Sequence, residues 1–380
     1  MAKRSKGEGG IYEEPGGTWR AIVYINGKAH KRRAATREAA EALRQQLLAQ
    51  RSAGIDVGGG GQTLAAWLVT WQAAKERNLR ERSQANNRRL IDGYLMPLLG
   101  TTPLNKLKAD KLQATLHRVQ DDIVKESGGR YTGARTVQAL AQLLRASLDL
   151  ARKRRLIEHN PMEGVELPSY SAAEKEPLSD VQLQAFLNKA HEHPLAALWR
   201  LYALLGLRRG EGLGVRWDDL DFDAGIIHIK QQVQEIDGKP TLGEPKYTSA
   251  RTLPLPAACV ESLRELRAAQ MRLRLKRAKT YQDQGLVFAN RDGGPLWPSN
   301  VLEAFYTLRA AAGAPPSATI HTLRHTLATL LDECGASEAL KAGILGHGKR
   351  SVTQRYTHAR LAAMRKVIEQ VSERITRKAA

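Results

Sequence analysis

The sequence predicts a mixed α/β chain of several domains. A small three-stranded sheet with one helix comes first, then a helical module, then a larger, mainly α C-terminal domain with a small β-sheet. Three observations carry this. The chain has 380 residues, 42% of them hydrophobic, enough for two or three separate cores. Gly58-Gly59-Gly60-Gly61 and the polar stretch 169–176 interrupt it in the manner of linkers. The apolar period changes from two to between three and four after the first linker. The expected divisions are 1–57, a linker at 58–62, 63–168, a second linker at 169–177, and 178–380.

In the first module Gly10-Ile11-Tyr12 is a short apolar segment followed by a Pro15-Gly16-Gly17 turn. Residues 19–25 are rich in strand formers, and Asn26-Gly27 is a hairpin signal. Residues 28–33 form the return strand. Thr36 is placed to cap a helix over 37–50. Arg20, Lys28, Lys31, Arg32 and Arg33 flank or line the hairpin and are candidate DNA contacts; a solvated basic surface is the plain alternative.

In the second module Leu64, Trp67, Leu68 and Trp71 recur on one helix face, so the two tryptophans are expected in a core. Further helical stretches cover 83–95, 109–126 and 133–156, with breaks at Pro97 and Gly100, at Pro103, and at Gly128-Gly129. Arg152, Lys153, Arg154 and Arg155 close the last helix. They either complement its C-terminal dipole or contact a nucleic-acid backbone. In the third domain, residues 226–229 alternate as a strand and Thr252-Leu253-Pro254-Leu255 reads as another.

Lys plus Arg number 59 against 39 Asp plus Glu, a formal net charge of +20. Such a surplus calls for a polyanionic partner. Nucleic acid fits, because bound phosphates release counterions. A membrane surface fits poorly, because the charge is spread along the chain and no run approaches the roughly 20 apolar residues of a spanning helix. No signal-like apolar stretch follows Met1, and the two cysteines, Cys259 and Cys334, make no disulfide or zinc framework. A cytoplasmic, nucleoid-associated protein is the expectation.

The chemistry lies in the C-terminal half. Its segments are Gly206-Leu207-Arg208-Arg209-Gly210-Glu211; Lys246 with Ser249-Ala250-Arg251-Thr252; His321-Thr322-Leu323-Arg324-His325; Leu345-Gly346-His347; and Gln354-Arg355-Tyr356-Thr357-His358. Two Arg, a Lys, two His and a Tyr, without clustered carboxylates, suit phosphoryl transfer that needs no metal. Arg forks match the spread charge of a phosphodiester transition state. A Tyr hydroxyl serves as covalent nucleophile, and a Lys protonates the leaving oxygen. His321 and His325 stand at i and i+4 like a zinc pair, but no Glu follows His321 and no third ligand is evident. Gly343 to Lys349 nearly spells a phosphate loop, but Arg350 stands where Ser or Thr must hold magnesium.

These segments resemble the catalytic boxes of the tyrosine recombinases, the family of the phage integrases. Arg208 matches the first Arg of the Gly-Leu-Arg box, with Glu211 three residues on. Lys246 matches the Lys of the β-hairpin, His321 and Arg324 the His-x-x-Arg box, His347 the Leu-Gly-His box, and Tyr356 the nucleophile nine residues later. Thr322 departs from the pattern, where Asp is common, and so does Gly212-Leu213-Gly214, where bulkier apolar residues are usual. The resemblance implies that Arg208 and Arg324 clamp the scissile phosphate, His321 and His347 support it, Lys246 is the general acid, and Tyr356 forms a 3′-phosphotyrosine. Each charged donor would contribute roughly 3–4 kcal/mol to the transition state. It also implies an arm-site domain, a helical core-binding domain and a catalytic domain. No cofactor or metal is implied. The implied partners are double-stranded DNA attachment sites and a homotetramer on DNA, with a DNA-bending host factor and an excision-directing protein as further candidates.

The expected activity is integration and excision of a phage or other mobile element. A chromosome-dimer resolvase is the competing recombinase role, but resolvases of that type resemble only the last two domains. A type IB topoisomerase shares similar chemistry without needing a specific site. A DNA-binding protein with a decayed catalytic domain is disfavoured by the complete set of side chains. The apolar stripe Leu361, Met364, Val367, Ile368, Val371 and Ile375 packs on its own domain or on a neighbouring protomer; both readings stay open.

Overall fold

The computed structural model describes residues 9–25, 28–52, 62–77, 79–170, 176–245, 250–346 and 358–376. The chain forms two compact units, Met1–Ala172 and Ala173–Ala380. The linker glycines 58–61 and the Asn26-Gly27 turn lie outside the described residues.

The first unit opens with an antiparallel sheet of β1 (Gly10–Glu13), β2 (Trp19–Ile25) and β3 (Lys28–Ala34), in that order. Period-two alternation buries Ala21, Val23 and Ile25 of β2, and α1 (Arg37–Ser52) covers that face with Leu47. Thr36 caps α1, its hydroxyl accepting from the Ala39 N–H at 3.2 Å.

A separate core holds the helical module. It comprises α2 (Leu64–Glu76), α3 (Glu81–Leu90), α4 (Met96–Leu99), α5 (Ala109–Glu126) and α6 (Ala134–Lys153). Trp67 and Trp71 are buried in that core, and the Trp67 indole donates to the Ser147 carbonyl at 3.1 Å. The expected break at Pro97 does not occur. A π turn over Ile91–Leu95, closed by Met96 N–H to Ile91 O, joins α3 to α4. The widened turn shifts the hydrogen-bond register just before Pro97, whose missing N–H would otherwise break it.

The second unit is built around α8 (Ala196–Leu205), an apolar helix buried on nearly all sides. Packed on it are α7 (Asp180–Ala190), α10 (Ala257–Lys276), α12 (Ile320–Glu333) and α14 (His358–Thr376). Between α8 and α10 the chain forms α9 (Arg209–Leu213), β4 (Leu220–Asp221), β5 (Ile226–Ile229), β6 (Gln232–Ile236), β7 (Lys239–Gly243) and β8 (Arg251–Pro254). Strands β4, β5 and β8 make one antiparallel sheet, and β6 with β7 a hairpin. Helices α11 (Pro298–Ala311) and α13 (Glu338–Leu345) complete the unit. The α14 stripe packs within its own unit, with Met364, Val367, Ile368, Val371 and Ile375 all buried. No helix among the described residues is long and apolar enough to cross a membrane.

Candidate active site

Four polar side chains converge where α8, α9, β8, α12 and α13 meet. Gly206 ends α8 in the left-handed region, at φ 58°, and the chain turns at once into α9. Arg208 precedes α9 and Glu211 lies in its first turn. The Glu211 carboxylate accepts from the Arg208 backbone N–H at 3.0 Å and from its Nη1 at 2.6 Å. The i,i+3 spacing places both groups on one side of the turn.

Arg251 comes from the sheet. The β5–β8 register pairs it with Ile229, and strand alternation points it inward with Leu253. Its side chain is wholly buried, so its charge needs a partner. Nη2 donates to Glu211 at 3.0 Å and Nε to the Ile344 carbonyl at 2.9 Å. Arg324 comes from α12 and is 3% exposed. It donates to the carbonyls of Gly206 at 2.6 Å and Leu345 at 2.5 Å. Arg208 Nη2 donates to the Gly346 carbonyl at 3.2 Å.

The three guanidiniums thus share the C-terminal carbonyls of α8 and α13, the ends where helix dipoles favour cations. Gly346 closes α13 at φ 69°, and a Cβ there would stand 2.9 Å from Arg251 Nη1. Only glycine lets that carbonyl cradle form against the arginine.

Burial alone would raise the Glu211 pKa. Arg251 and then Arg208 outweigh it and hold the carboxyl at about 2. Burial, then the cations Arg208 and Arg251, push the Arg324 guanidinium down to about 9, still charged at neutral pH. Three cations and one anion leave the cluster two charges positive. Arg208, 26% exposed at its side chain, is the member that reaches solvent. The arrangement is suited to a multiply charged oxyanion such as a phosphodiester in its transition state.

His321 stands on the exposed side of the first turn of α12, three residues before Arg324. Its ring meets that of His325 edge-on, centroids 4.6 Å apart. Thr322, which departs from the family pattern, is buried and accepts from the Thr319 N–H at 2.9 Å. A hydroxyl thus fills the capping role that a carboxylate could serve there. The second departure also has a reason. A Cβ on Gly212 would lie 2.5 Å from Tyr202 Cε1, and one on Gly214 would lie 2.8 Å from the Gln231 carbonyl. Tyr202 occupies the space a bulkier residue would take, its hydroxyl donating to the Arg209 carbonyl at 2.7 Å. Lys246, His347 and Tyr356 lie outside the described residues.

The basic candidates of the first unit separate by register. Arg20 pairs with Arg33 and Ile22 with Lys31, so Arg20, Lys31 and Arg33 share the open face of the sheet. Arg32 pairs with buried Ala21 and so belongs to the side that carries α1. Lys28 is placed by its backbone alone, opposite Ile25. Arg152, Lys153, Arg154 and Arg155 are exposed. Arg152 lies 3.8 Å from Asp149, and Arg154 stacks on Trp67 at 5.5 Å. Arg155, at φ 60°, closes α6 with the paired bonds of a Schellman turn, Arg155 N–H to Arg152 O and Leu156 N–H to Ala151 O.

Arg251 is the residue that sequence reasoning left without a role. An Arg opening an otherwise apolar strand was the available signal, since a buried charge demands a partner.

Residues 177–362 match the phage integrase family, and residues 63–119 match the phage integrase N-terminal SAM-like domain. The chain is 25% identical over 344 residues to a "Tyrosine recombinase XerC-like" protein of Caldanaerobacter subterraneus, covering 85% of this chain and 86% of that one. It is 27% identical over 369 residues to an "Integrase" of Streptomyces ambofaciens, covering 93% of each. Its fold is similar to that of the Tn1549 transposon integrase, solved in complex with a circular intermediate DNA. The TM-score is 0.61 at 19% identity, over 80% of this chain and 98% of that one.

Proposed function

The chain belongs to the phage integrase family of tyrosine recombinases, enzymes that cleave and rejoin DNA, and from that premise we propose that it integrates and excises a mobile element through Tyr356. The observation that carries the reading is the cluster of Arg208, Arg251 and Arg324 around the single carboxylate of Glu211. Arg208 and Arg324 hold the non-bridging oxygens of the scissile phosphate, with His321 and His347 as further donors. The Tyr356 oxygen attacks phosphorus, and its proton passes to solvent. The bond to the 5′ oxygen breaks, and that oxygen takes a proton from Lys246. The 3′-phosphotyrosine conserves the phosphodiester bond, so rejoining needs no ATP, and the arginines with Lys246 supply the charge and the proton that a metal-bound water would otherwise bring.

The partner is double-stranded DNA bearing attachment sites, bound by a homotetramer. The basic open face of the first sheet supports a DNA-binding first domain, and with it an integrase in preference to a resolvase of the last two domains. A DNA-bending host factor and an excision-directing protein complete the assembly. A nicked suicide substrate tests the chemistry. The wild type is trapped as a denaturation-resistant adduct, whereas Tyr356→Phe binds with equal affinity and forms none. An adduct with the Phe variant would assign the nucleophile elsewhere.

A further inference from the structure

Glu14 stands among the arginines of the first sheet. It follows β1 in a tight turn, its N–H donating to the Thr18 carbonyl at 2.7 Å and its own carbonyl accepting from Gly17 N–H. Its carboxylate takes two guanidiniums. Oε2 meets Arg33 Nε at 2.6 Å, and Oε1 meets Arg20 Nη2 and, at 3.5 Å, Arg33 Nη2. The Glu14 side chain is only 11% exposed beneath them, while those of Arg20 and Arg33 are 31% and 72% exposed. Arg20 and Arg33 are direct cross-strand partners, an arrangement that repels unless an anion stands between them.

A face built only to bind phosphates gains nothing from that carboxylate. It cancels part of the positive charge and repels the backbone it should attract. A face built to read bases does gain. Arg33, held along its Nε–Nη2 edge, keeps its orientation and presents its outer end as a fixed fork, while Arg20 is anchored through Nη2. Such a fork matches O6 and N7 of guanine in a major groove. Lys31, exposed on the same face one pleat from Arg33, supplies a point charge for phosphate.

We propose that Glu14 is a specificity-determining positioning residue, holding Arg33 as a fixed fork and anchoring Arg20 beside it, so that both read guanine edges of an arm-type site. The proposal rests on the reading of the first sheet as a DNA-binding surface.

The full-length protein is tested on a pool of duplexes randomised at their centre, by retention and sequencing. Wild type should enrich a motif with guanine at defined positions. Glu14→Gln should retain more of the unselected pool, with a steeper salt dependence, while its preference for those guanines falls about tenfold or more. Arg20→Lys, which keeps the charge and loses the guanidinium, should lose the guanine preference. A carboxylate that only relieves cross-strand repulsion would lower the melting temperature of Glu14→Gln and leave the motif intact, and that result overturns the proposal. A triple Arg20→Ala, Lys31→Ala, Arg33→Ala variant checks the premise separately. If it enriches the wild-type motif unchanged, the sheet is not a DNA reader and both readings fall. If it loses part of the motif while Glu14→Gln keeps all of it, the sheet reads DNA and only the role of Glu14 fails.

Discussion

Replacing Glu211 by Gln preserves shape and removes the one anion of the arginine cluster. In the folded protein that carboxyl is held at about 2, against an ordinary 4.5, by Arg251 and Arg208 acting against burial. A folded pKa below the unfolded one contributes stability that is full above about 4.5 and disappears as pH falls toward 2. The depression corresponds to roughly 3 kcal/mol at neutral pH. A second estimate comes from geometry. The variant strands the Arg251 side chain, wholly buried, without its carboxylate, and breaking a buried pair costs about 3–5 kcal/mol. The two agree near 3 kcal/mol, which for a unit of this size lowers the melting temperature by roughly 10 °C. Scanning calorimetry of the full chain should show the transition of the Ala173–Ala380 unit moving by that amount at neutral pH, with the gap closing as pH falls toward 2. A Glu211→Gln, Arg251→Met double variant should recover most of the loss, because an apolar contact replaces the stranded charge. Adduct formation on the suicide substrate should fall about a hundredfold in the single variant, since Arg208 loses its anchor. A shift under about 2 °C, or a gap that stays constant into acid, would refute the assignment of Glu211 as the electrostatic keystone of the cluster.

Gly206→Ala should destabilise by about 2–4 kcal/mol in denaturant titration, combining the left-handed backbone with overpacking. Its Cβ would lie 2.8 Å from Leu345 Cδ2 and 3.0 Å from Leu327 Cδ2, and cleavage should fall as the carbonyl that holds Arg324 moves. Thr322→Val removes the acceptor for the Thr319 N–H and should cost about 1 kcal/mol by the same measurement. Strand joining on a site-containing substrate should be near normal in excess EDTA; abolition with rescue by one divalent ion would overturn the metal-free mechanism.

What the sequence determined by itself is what local spacing encodes. The Leu64, Trp67, Leu68, Trp71 face had to enter a core, because only burial explains large apolar groups at helical period. The spacing of Arg208 and Glu211 is legible as a motif, and their contact follows from it because an N-cap residue and the third residue of a helix lie within one turn. The assignments of Lys246, His347 and Tyr356 rest on the order and spacing of their motifs. Pro97 marks the limit of local reading, since a one-residue widening of the preceding turn carried the helix through a residue that ordinarily stops it. Tertiary structure decided the rest. Arg208 and Arg324 are 116 positions apart in the chain, and they come together because Arg324 bridges the carbonyl ends of α8 and α13 while Arg208 donates to the end of α13. Arg251 became the buried partner of Glu211 through the β5–β8 register, which a count along the chain does not reveal. The same holds for the basic run of β3. In sequence Arg32 and Arg33 are equivalent neighbours. In the sheet, the pleat and the pairing with β2 send one toward the helix side and the other onto the open face beside Arg20. Side-chain direction in a strand alternates with every residue, so only the pairing decides which of two adjacent charges faces a partner.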